Sequence, residues 1–368
     1  MVEYEKKLSY KDLLFASIGH IIGAGIFFLI SYVYNNSKEK TWLSILLGGL
    51  FMSLFSNTYS KLPKMYDADD NIEQKLISNK FNKNISNIIL FIAVIGFIFG
   101  AYLVAKSFGE YFSDLFDISA EISTLLIIGI CFLLNIYKID VLANFNNLIT
   151  IIGLGILIIL ILIGFYKIII DKEKNNFKSY YTFTDYNDFR KNIWNILKGA
   201  YLILFAYLGF EILIKLNKES KNPKIDIPNA INHSIYITII IYTLLGIVYA
   251  YSMSLKNKYN KKLERKIPIT NSLELLTGTN KYNKIINIAA CIFTANTVLI
   301  SMLGASRLLD DVINIDHNMN VPRKSIMIIT LGMLILYYLK YSIEKSTYIS
   351  NTFTLILFLS VLYSMNNN

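Results

Sequence analysis

The chain has 368 residues, of which 54% are hydrophobic and only 17% are charged, and its net charge is +10. Soluble domains carry about 25% charged residues, and the mean hydropathy of this chain is +0.46. The composition excludes an ordinary soluble domain and gives no sign of a nucleic-acid partner. It indicates a protein that lies in a lipid bilayer, where a basic charge suits anionic headgroups.

The charged residues are bunched, and the runs between them contain no Asp, Glu, Lys or Arg. A membrane-spanning helix needs about 17 to 25 predominantly apolar residues, and most of these runs reach that length. Lysines at the ends of the two shortest runs extend them by reaching the membrane interface. The runs are 13–37, 41–60, 84–105, 122–137, 141–166, 227–255, 285–306, 325–339 and 346–368.

A further span is predicted between 192 and 218, although Lys198, Glu211 and Lys215 interrupt it. Its apolar stretch, 199–210, is too short to cross a bilayer alone, so the helix either continues through charged positions or breaks midway. Including it gives ten spans, with both termini on the same side of the membrane. Spans 1 to 10 are predicted at 12–34, 41–60, 84–110, 120–137, 141–167, 192–217, 229–255, 284–309, 323–341 and 345–364.

The remaining polar residues say little about chemistry or orientation. Lysines are nearly balanced between the two sides, so the positive-inside rule does not orient the chain. Cys131 and Cys291 each lie within an apolar run, as packing residues do, and the three histidines show no ligand spacing. We therefore predict no metal, no cofactor and no enzymatic activity.

Span 1 contains Gly19, Gly23 and Gly25 within seven residues at mid-membrane depth. Glycine in a helix interior is destabilising by up to about 1 kcal/mol relative to alanine, so the cluster needs a reason. One reason is an unwound turn whose freed N–H groups bind a carboxylate. The other is close packing of small residues against neighbouring helices. The spacing leaves both interpretations open.

Span 6 carries Gly209 at mid-span and Glu211 two residues later, which predicts a second break. Spans 1 and 6 each open a set of five helices, and Gly-interrupted spans at matching positions of two halves indicate an inverted-repeat transporter. Such an arrangement places the breaks side by side at the membrane midplane. One break would bind a carboxylate and the other an ammonium group, so the predicted substrate is an α-amino acid.

Three motifs resemble the amino acid–polyamine–organocation superfamily of permeases. They are I-I-G-A-G-I-F at 21–27, F-A-Y-L-G-F-E at 205–211 with K-E-S-K-N-P-K-I-D-I-P at 218–228, and A-N-T-V-L-I-S-M-L-G-A-S-R-L-L at 295–309 with V-P-R-K at 321–324. The resemblance implies an all-α integral membrane protein with the LeuT-like five-plus-five inverted repeat, in which spans 1 and 6 are unwound at mid-membrane. It also implies cytoplasmic termini and transport by alternating access. The family usually has twelve spans, and ten are predicted here.

The whole chain, 1–368, is predicted to form one transport domain with repeats at 1–170 and 190–364. Its substrate site is expected where the two breaks meet, with N–H groups from span 1 and carbonyls from span 6. By resemblance, Phe205 stands where the family places an aromatic gate, although ordinary packing would also explain this residue. The predicted site residues are Ile22, Gly23, Ala24, Gly25, Ile26, Phe205, Ala206, Leu208 and Gly209.

Two ionisable residues are candidates for coupling proton movement to transport. Glu211 is costly to expose to lipid, and it either takes up a proton or pairs with Lys215 one helical turn later. His20 precedes the glycine cluster and belongs to the residue type that changes charge near neutral pH, although a bond to a nearby carbonyl is the plainer explanation. Thr297 and Ser301 would line a Na⁺ site instead. The coupling ion, H⁺ or Na⁺, stays open.

The chain departs from the family at two positions. Proton-coupled members often carry a lysine three residues after the threonine that matches Thr150, and Gly153 stands there instead. Lys61 replaces a family glutamate. The leading prediction is a secondary active transporter or exchanger of amino acids, acting by symport or antiport. The alternative is a permease-like protein that senses amino acids without moving them.

Overall fold

The computed structural model describes residues 8–65, 72–137, 143–171, 186–217, 219–258, 267–313 and 322–365. The first part of this chain forms helices α1 (Tyr10–Ser37), α2 (Thr41–Tyr59), α3 (Leu62–Met65), α4 (Ile72–Lys80), α5 (Lys83–Phe116), α6 (Ala120–Ile136) and α7 (Ala143–Asp171). The second part forms α8 (Tyr186–Ile203), two 3-10 segments (Leu204–Tyr207 and Phe210–Leu216), α9 (Pro223–Lys258), α10 (Pro268–Thr277), α11 (Asn283–Ile313), α12 (Arg323–Tyr338) and α13 (Ile343–Met365).

Each of the ten predicted spans corresponds to helical structure among the described residues, to within a few residues at most ends. Spans 1 to 5 correspond to α1, α2, α5, α6 and α7, and spans 7 to 10 correspond to α9, α11, α12 and α13. Span 6 is α8 continued by the two 3-10 segments. The short helices α3 and α4 connect spans 2 and 3, and α10 lies between spans 7 and 8.

Within the part of the chain that the structure describes, seven stretches are long and apolar enough to cross a membrane. The first of them, Gly25–Met65, contains the second half of α1 together with α2, and Ala120–Ile136 is a shorter apolar helix. Large apolar side chains also point out of the bundle, for example Leu54, Leu162 and Leu331. Because lipid is the environment that accepts such surfaces, the chain is an integral, multi-pass membrane protein.

Local sequence signals explain several helix ends. Ser9 and Asp12 form a capping box at the start of α1, which satisfies backbone N–H groups that the first turn leaves unpaired. The side chains of Asn82 and Ser119 accept from the N–H groups of Ile85 and Ile122 and so cap the starts of α5 and α6. Gly278 ends α10 in a left-handed conformation, as C-terminal glycines commonly do.

Helix α1 lies in the interior of the bundle, where it contacts α7, α8, α9 and α11. Helix α5 packs along both α11 and α13. The segment before α1 is tied to the segment after span 6 by an isolated bridge, because the Leu8 N–H donates to the Glu219 carbonyl at 3.0 Å and the Lys221 N–H donates to the Leu8 carbonyl at 2.9 Å. The fold therefore holds the start of span 1 and the end of span 6 together.

Candidate functional site

Span 6 breaks at the glycine that the sequence singles out. Leu208 is extended, with φ −69° and ψ 149°, and Gly209 follows with φ 130° and ψ −22°. The Phe205 carbonyl accepts from the Leu208 N–H at 3.1 Å, whereas in an α-helix its donor would be the N–H of Gly209. That N–H donates instead to the Glu211 carboxylate at 2.7 Å. The predicted interruption of span 6 is confirmed.

Span 1 does not break in this conformation. Helix α1 is continuous from Tyr10 to Ser37, so the predicted unwound turn at Gly23 and Gly25 is wrong for this state. The N–H groups assigned to a carboxylate, those of residues 22–26, lie inside the helix and belong to its hydrogen-bonded ladder. Ile22 and Ile26 are buried core side chains, and the side chain of Ala24 lies outside the described part.

Close packing explains the glycines of α1. A methyl group at Gly19 would overlap the Thr150 hydroxyl, and one at Gly23 would overlap the Thr297 hydroxyl. A methyl group at Gly25 would lie 2.9 Å from the Ala206 Cα. Each distance is shorter than real carbon contacts allow, so only glycine lets three neighbouring elements approach α1 this closely.

The two predicted halves of the site nevertheless meet. A Cβ built on Gly209 would lie 2.6 Å from His20 Cδ2 and 2.9 Å from the Ile21 nitrogen. Together with the approach of Gly25 to Ala206, this places the break of span 6 directly against residues 20–25 of α1. We name this junction, formed by residues 20–25 and 205–209, the α1–span 6 junction. It is closed, because backbone touches backbone on both sides.

Both coupling candidates lie at this junction. His20 contacts Gly209 from α1, it is 7% exposed, and its Nδ1 has no hydrogen-bond partner among the described residues. Glu211 holds the Gly209 N–H from the other side of the break. The junction therefore brings together an unpaired imidazole nitrogen, a carboxylate and an interrupted backbone.

Tyrosines that the sequence analysis did not single out support the backbone of α1. The Tyr242 hydroxyl donates to the Ile21 carbonyl at 3.0 Å, and the Tyr111 hydroxyl donates to the Phe27 carbonyl at 2.6 Å. Both side chains are fully buried. These carbonyls lie on either side of Gly23 and Gly25, so each keeps a hydrogen-bond donor even if the helix opens between them.

Lys215 does not pair with Glu211, as one interpretation of the sequence expected. Its Nζ lies 2.9 Å from the Glu73 carboxylate on α4, which also accepts from the Tyr59 hydroxyl at 2.8 Å. The reason is local geometry: Phe210–Leu216 is a 3-10 segment, and residues four apart face each other in an α-helix but not in a 3-10 helix. Sequence spacing could not reveal the distant partner Glu73.

The proposed sodium ligands are only partly brought to the site. The Thr297 hydroxyl is buried against Gly23 and has no partner among the described residues. Ser301 lies one turn further along α11 and is half-buried. The structure therefore positions one of these two hydroxyls against α1 near the junction, and a cation site at this place stays a prediction.

Phe293 occupies the space in which proton-coupled relatives of the superfamily would place a lysine. Its ring lies against Gly153, where an added Cβ would overlap Cζ and Cε2, and it stacks on Phe27 with ring centroids 5.6 Å apart. A lysine side chain has no room here. This packing explains the departure at Gly153 that the sequence analysis noted.

We expect Gly153→Ala to lower the free energy of unfolding by about 1–3 kcal/mol, because overpacking a well-filled core forces neighbours to move. Gly155→Ala is a matched control two residues along α7, since nothing lies within 4 Å of its Cβ position. It should leave stability unchanged or raise it by up to about 1 kcal/mol. Thermal denaturation of both purified variants measures the difference, and equal melting temperatures would contradict this packing.

A cleft of about 750 Å³ lies elsewhere, between α5, α6 and α12. Its walls include Tyr102, Lys106, Glu110, Glu121 and Lys340. None of its lining residues belongs to α1 or span 6. The predicted site and this cleft are therefore separate features of the protein.

Comparison with known families gives a match over most of the chain. A family model described as amino acid permease matches residues 8–316. Cationic amino acid transporter 1 of Arabidopsis thaliana is 24% identical over 270 residues, which cover 67% of this chain and 42% of that protein. The aspartate-proton symporter of Bacillus subtilis is 24% identical over 259 residues, which cover 67% of this chain and 48% of that protein. The chain thus spans about half the length of these curated relatives.

Solved structures show a similar fold at low sequence identity. A manganese transporter of Eremococcus coleocola matches with a TM-score of 0.58 and 11% identity, covering 100% of this chain and 82% of that one. MHP1, a nucleobase-cation-symport-1 family transporter in a closed conformation, matches with a TM-score of 0.60 and 12% identity, covering 96% of this chain and 76% of that one. The chain has the fold of these transporters, which is the LeuT-like architecture that the sequence predicted.

Proposed function

The chain belongs to the amino acid permease family, and on this premise we propose that it is a secondary transporter or exchanger that moves amino acids across a membrane by alternating access. The observation that carries the proposal is the break of span 6 at Gly209, which lies directly against His20 and Ile21 of α1. Interrupted spans at a repeat interface are where transporters of this architecture bind substrate. The α1–span 6 junction is the proposed binding site.

In the proposed mechanism, the amino acid binds when the α1–span 6 junction opens. The substrate carboxylate accepts hydrogen bonds from the N–H groups around Gly23 and Gly25 as α1 unwinds there. The substrate ammonium group donates to the carbonyls of Phe205, Ala206 and Leu208. The hydroxyls of Tyr242 and Tyr111 keep the flanking carbonyls of α1 satisfied during this change. Because a ligand shifts an equilibrium only by its differential affinity, the new hydrogen bonds to substrate are what drive the opening.

The moving unit is proposed to comprise α1, α2, span 6 and α9, and the scaffold is proposed to comprise α5, α6, α7 and α11. Packing supports this division, because α2 packs closely along α9 while α5 packs closely along α11. Phe205, which is 5% exposed, is the proposed gate. The Phe205 side chain, which belongs to the proposed moving unit, lies against Gly100 of α5 in the proposed scaffold.

The substrate is proposed to be a neutral amino acid. Glu211 lies beside the α1–span 6 junction and already accepts the Gly209 N–H, and the residues of the junction include no second acid that would pair with a cationic side chain. The names of the relatives mention cationic amino acids in one case and aspartate in the other. Coupling is proposed to use protonation of Glu211 or His20, with Na⁺ at Thr297 and Ser301 as the second possibility.

Uptake by the purified protein in liposomes tests this function. We expect at least one labelled amino acid to accumulate, and we expect unlabelled neutral amino acids to compete better than lysine, arginine or aspartate. Repeating the competition at two pH values, with and without Na⁺, identifies the coupling ion. Inhibition mainly by lysine and arginine would contradict the neutral preference but leave transport intact.

Ligand-induced thermal stabilisation provides the companion measurement. Stabilisation by an amino acid without uptake would support the sensor instead of the transporter. If none of the twenty amino acids stabilises the protein and none is taken up, both the transporter and the sensor hypotheses are contradicted.

A further inference from the structure

The cleft between α5, α6 and α12 forms where α12 ends below its neighbours. Helix α12 has 16 residues, whereas α5 has 34. The Tyr341 carbonyl, in the turn after α12, accepts from the Tyr102 hydroxyl at 3.2 Å and from the Lys106 Nζ at 2.9 Å. Beyond this level α5 continues to Phe116, which adds roughly 15 Å of helix. The turn after α12 is therefore the floor of the cleft.

Two lysines lie at the floor of this cleft, and two glutamates lie nearer its mouth. Lys106 donates to the carbonyl of the residue that follows Lys340, so both lysines belong to the floor. Glu110 stands on α5 about 6 Å beyond Lys106 along the helix axis. Glu121 belongs to the first turn of α6, which packs beside the turn of α5 that carries Glu110. The α12 cleft denotes the space lined by Tyr102, Lys106, Glu110, Glu121, Tyr337 and Lys340.

The charges of the α12 cleft are available to a ligand. The side chains of Glu110, Glu121 and Lys340 form no hydrogen bond or ion pair with the residues that the structure describes. Glu121 and Lys340 are exposed, and Glu110 is half-buried. Two ammonium groups balance two carboxylates, so a ligand with a single charge would meet repulsion as well as attraction. The arrangement is complementary to a zwitterion whose negative group lies at the floor and whose positive group lies near the mouth.

The backbone of Lys340 indicates that the ammonium group at the floor has a purpose. Lys340 has φ 52° and ends the last turn of α12, a position at which glycine is the usual residue because it has no Cβ. A lysine is strained there relative to glycine. Backbone strain that a structure retains is a pointer to function, and the side chain that this strain retains is one of the two lysines of the α12 cleft.

The surfaces beside the α12 cleft face lipid. Ile122 and Leu126 of α6 and Ile335 of α12 are exposed, large and apolar, and in a membrane protein such surfaces contact acyl chains. Tyr338, at the edge of the cleft, is also exposed, and tyrosine is enriched at the level of the lipid headgroups. A lipid can therefore place its headgroup in the cleft while its acyl chains lie on these surfaces.

We propose that the α12 cleft binds the headgroup of a phosphatidylethanolamine-type lipid. The phosphodiester accepts charge-assisted hydrogen bonds from Lys106 and Lys340, and the primary ammonium group donates to Glu110 and Glu121. A free α-amino acid carries both charges on one carbon, which is too short to span the distance of about 6 Å between the levels of Lys106 and Glu110. A choline headgroup has no N–H to donate to the carboxylates.

The bound lipid would join α5, α6 and α12, which lie outside the α1–span 6 junction. A ligand that binds only the folded protein stabilises it by mass action, so this lipid should raise stability without competing with an amino acid. The inference does not depend on transport, and its test measures lipid binding without uptake.

Thermal denaturation of the full chain in detergent, together with native mass spectrometry, tests the site. The added lipid is dioleoyl-phosphatidylethanolamine, dioleoyl-phosphatidylcholine or dioleoyl-phosphatidylglycerol. We expect the ethanolamine lipid to raise the melting temperature most and one molecule of it to remain bound per chain. Lys340→Asn and Glu110→Gln/Glu121→Gln should bind it about tenfold more weakly, the scale of losing one charge-assisted hydrogen bond. Asparagine tolerates positive φ, so Lys340→Asn removes the charge and keeps the turn.

Lys83→Gln and Glu39→Gln are the matched controls. Both residues are exposed and lie outside the α12 cleft, so these variants should respond to the ethanolamine lipid as the unmodified protein does. Glycerophosphoethanolamine, the headgroup without acyl chains, should have no effect at the same concentration. If it stabilises the protein as well as the lipid does, the ligand is a soluble zwitterion and the lipid assignment is overturned.

Three results would overturn the site itself. They are no stabilisation by the ethanolamine lipid, equal stabilisation by all three lipids, and an undiminished response to the ethanolamine lipid in both cleft variants.

Discussion

Gly209→Ala is expected to reduce amino acid uptake by roughly 100-fold, the scale of loss that a displacement of about 1 Å at a reacting or binding centre produces. Gly209 has φ 130°, a conformation that L-residues rarely adopt, and its Cβ would lie 2.6 Å from His20 Cδ2. The substitution therefore strains the break of span 6 and pushes it away from α1. Uptake in liposomes measures the loss, and gel filtration confirms that the variant is folded.

Gly278→Ala is the matched control. Gly278 also has a positive φ, 73°, but nothing lies within 4 Å of its Cβ position. Gly278→Ala also places a side chain on a positive-φ backbone, which costs about 1–2 kcal/mol of stability. The substitution does not touch the α1–span 6 junction, so uptake should persist. Gly25→Leu provides a second route to the same result, because its side chain would collide with Ala206. Normal uptake by folded Gly209→Ala and Gly25→Leu would refute the site.

Lys215→Met is expected to cost about 3–5 kcal/mol of stability, the usual result of removing one partner of a buried ion pair. The carboxylate of Glu73 is only 5% exposed, and it would keep the Tyr59 hydroxyl but lose the ammonium group 2.9 Å away. The pair joins α4 to the second half of span 6, so its loss also loosens the segment that follows the break. Thermal denaturation of the purified variant measures the effect.

The double variant Glu73→Gln/Lys215→Met should recover most of that loss, because no unpaired charge remains buried. Lys64→Met, which removes an exposed lysine from the neighbouring helix α3, should leave stability within about 0.5 kcal/mol. A double variant as unstable as Lys215→Met alone would show that the packing of the lysine stem matters and that the charge pair does not.

The spans and the break of span 6 were predictable from local sequence. Charge-free runs of spanning length give helices because the bilayer leaves the backbone no other partner. Gly209 combines a residue that adopts positive φ with an acid two residues later that accepts its N–H. The residue that tolerates the unusual backbone conformation and the acceptor for its N–H group therefore lie two residues apart in the sequence.

The state of α1 was not predictable, because glycines serve close packing and unwinding equally well. What decides between them is the presence of Thr150, Thr297 and Ala206 on three other elements, and sequence spacing does not place these residues. The partner of Lys215 and the ring that fills the space at Gly153 are hidden for the same reason. Long-range contacts fix each of these features.

The measurement that tests the central claim most directly is an experimental structure of the purified protein with a saturating amino acid that it transports. We expect the ligand between residues 20–25 of α1 and residues 205–209 of span 6, with Gly25 and Ala206 moved apart and α1 opened at its glycines. An amino acid bound elsewhere, such as the cleft beside Lys106 and Glu121, while Gly209 still touches His20, would contradict the account.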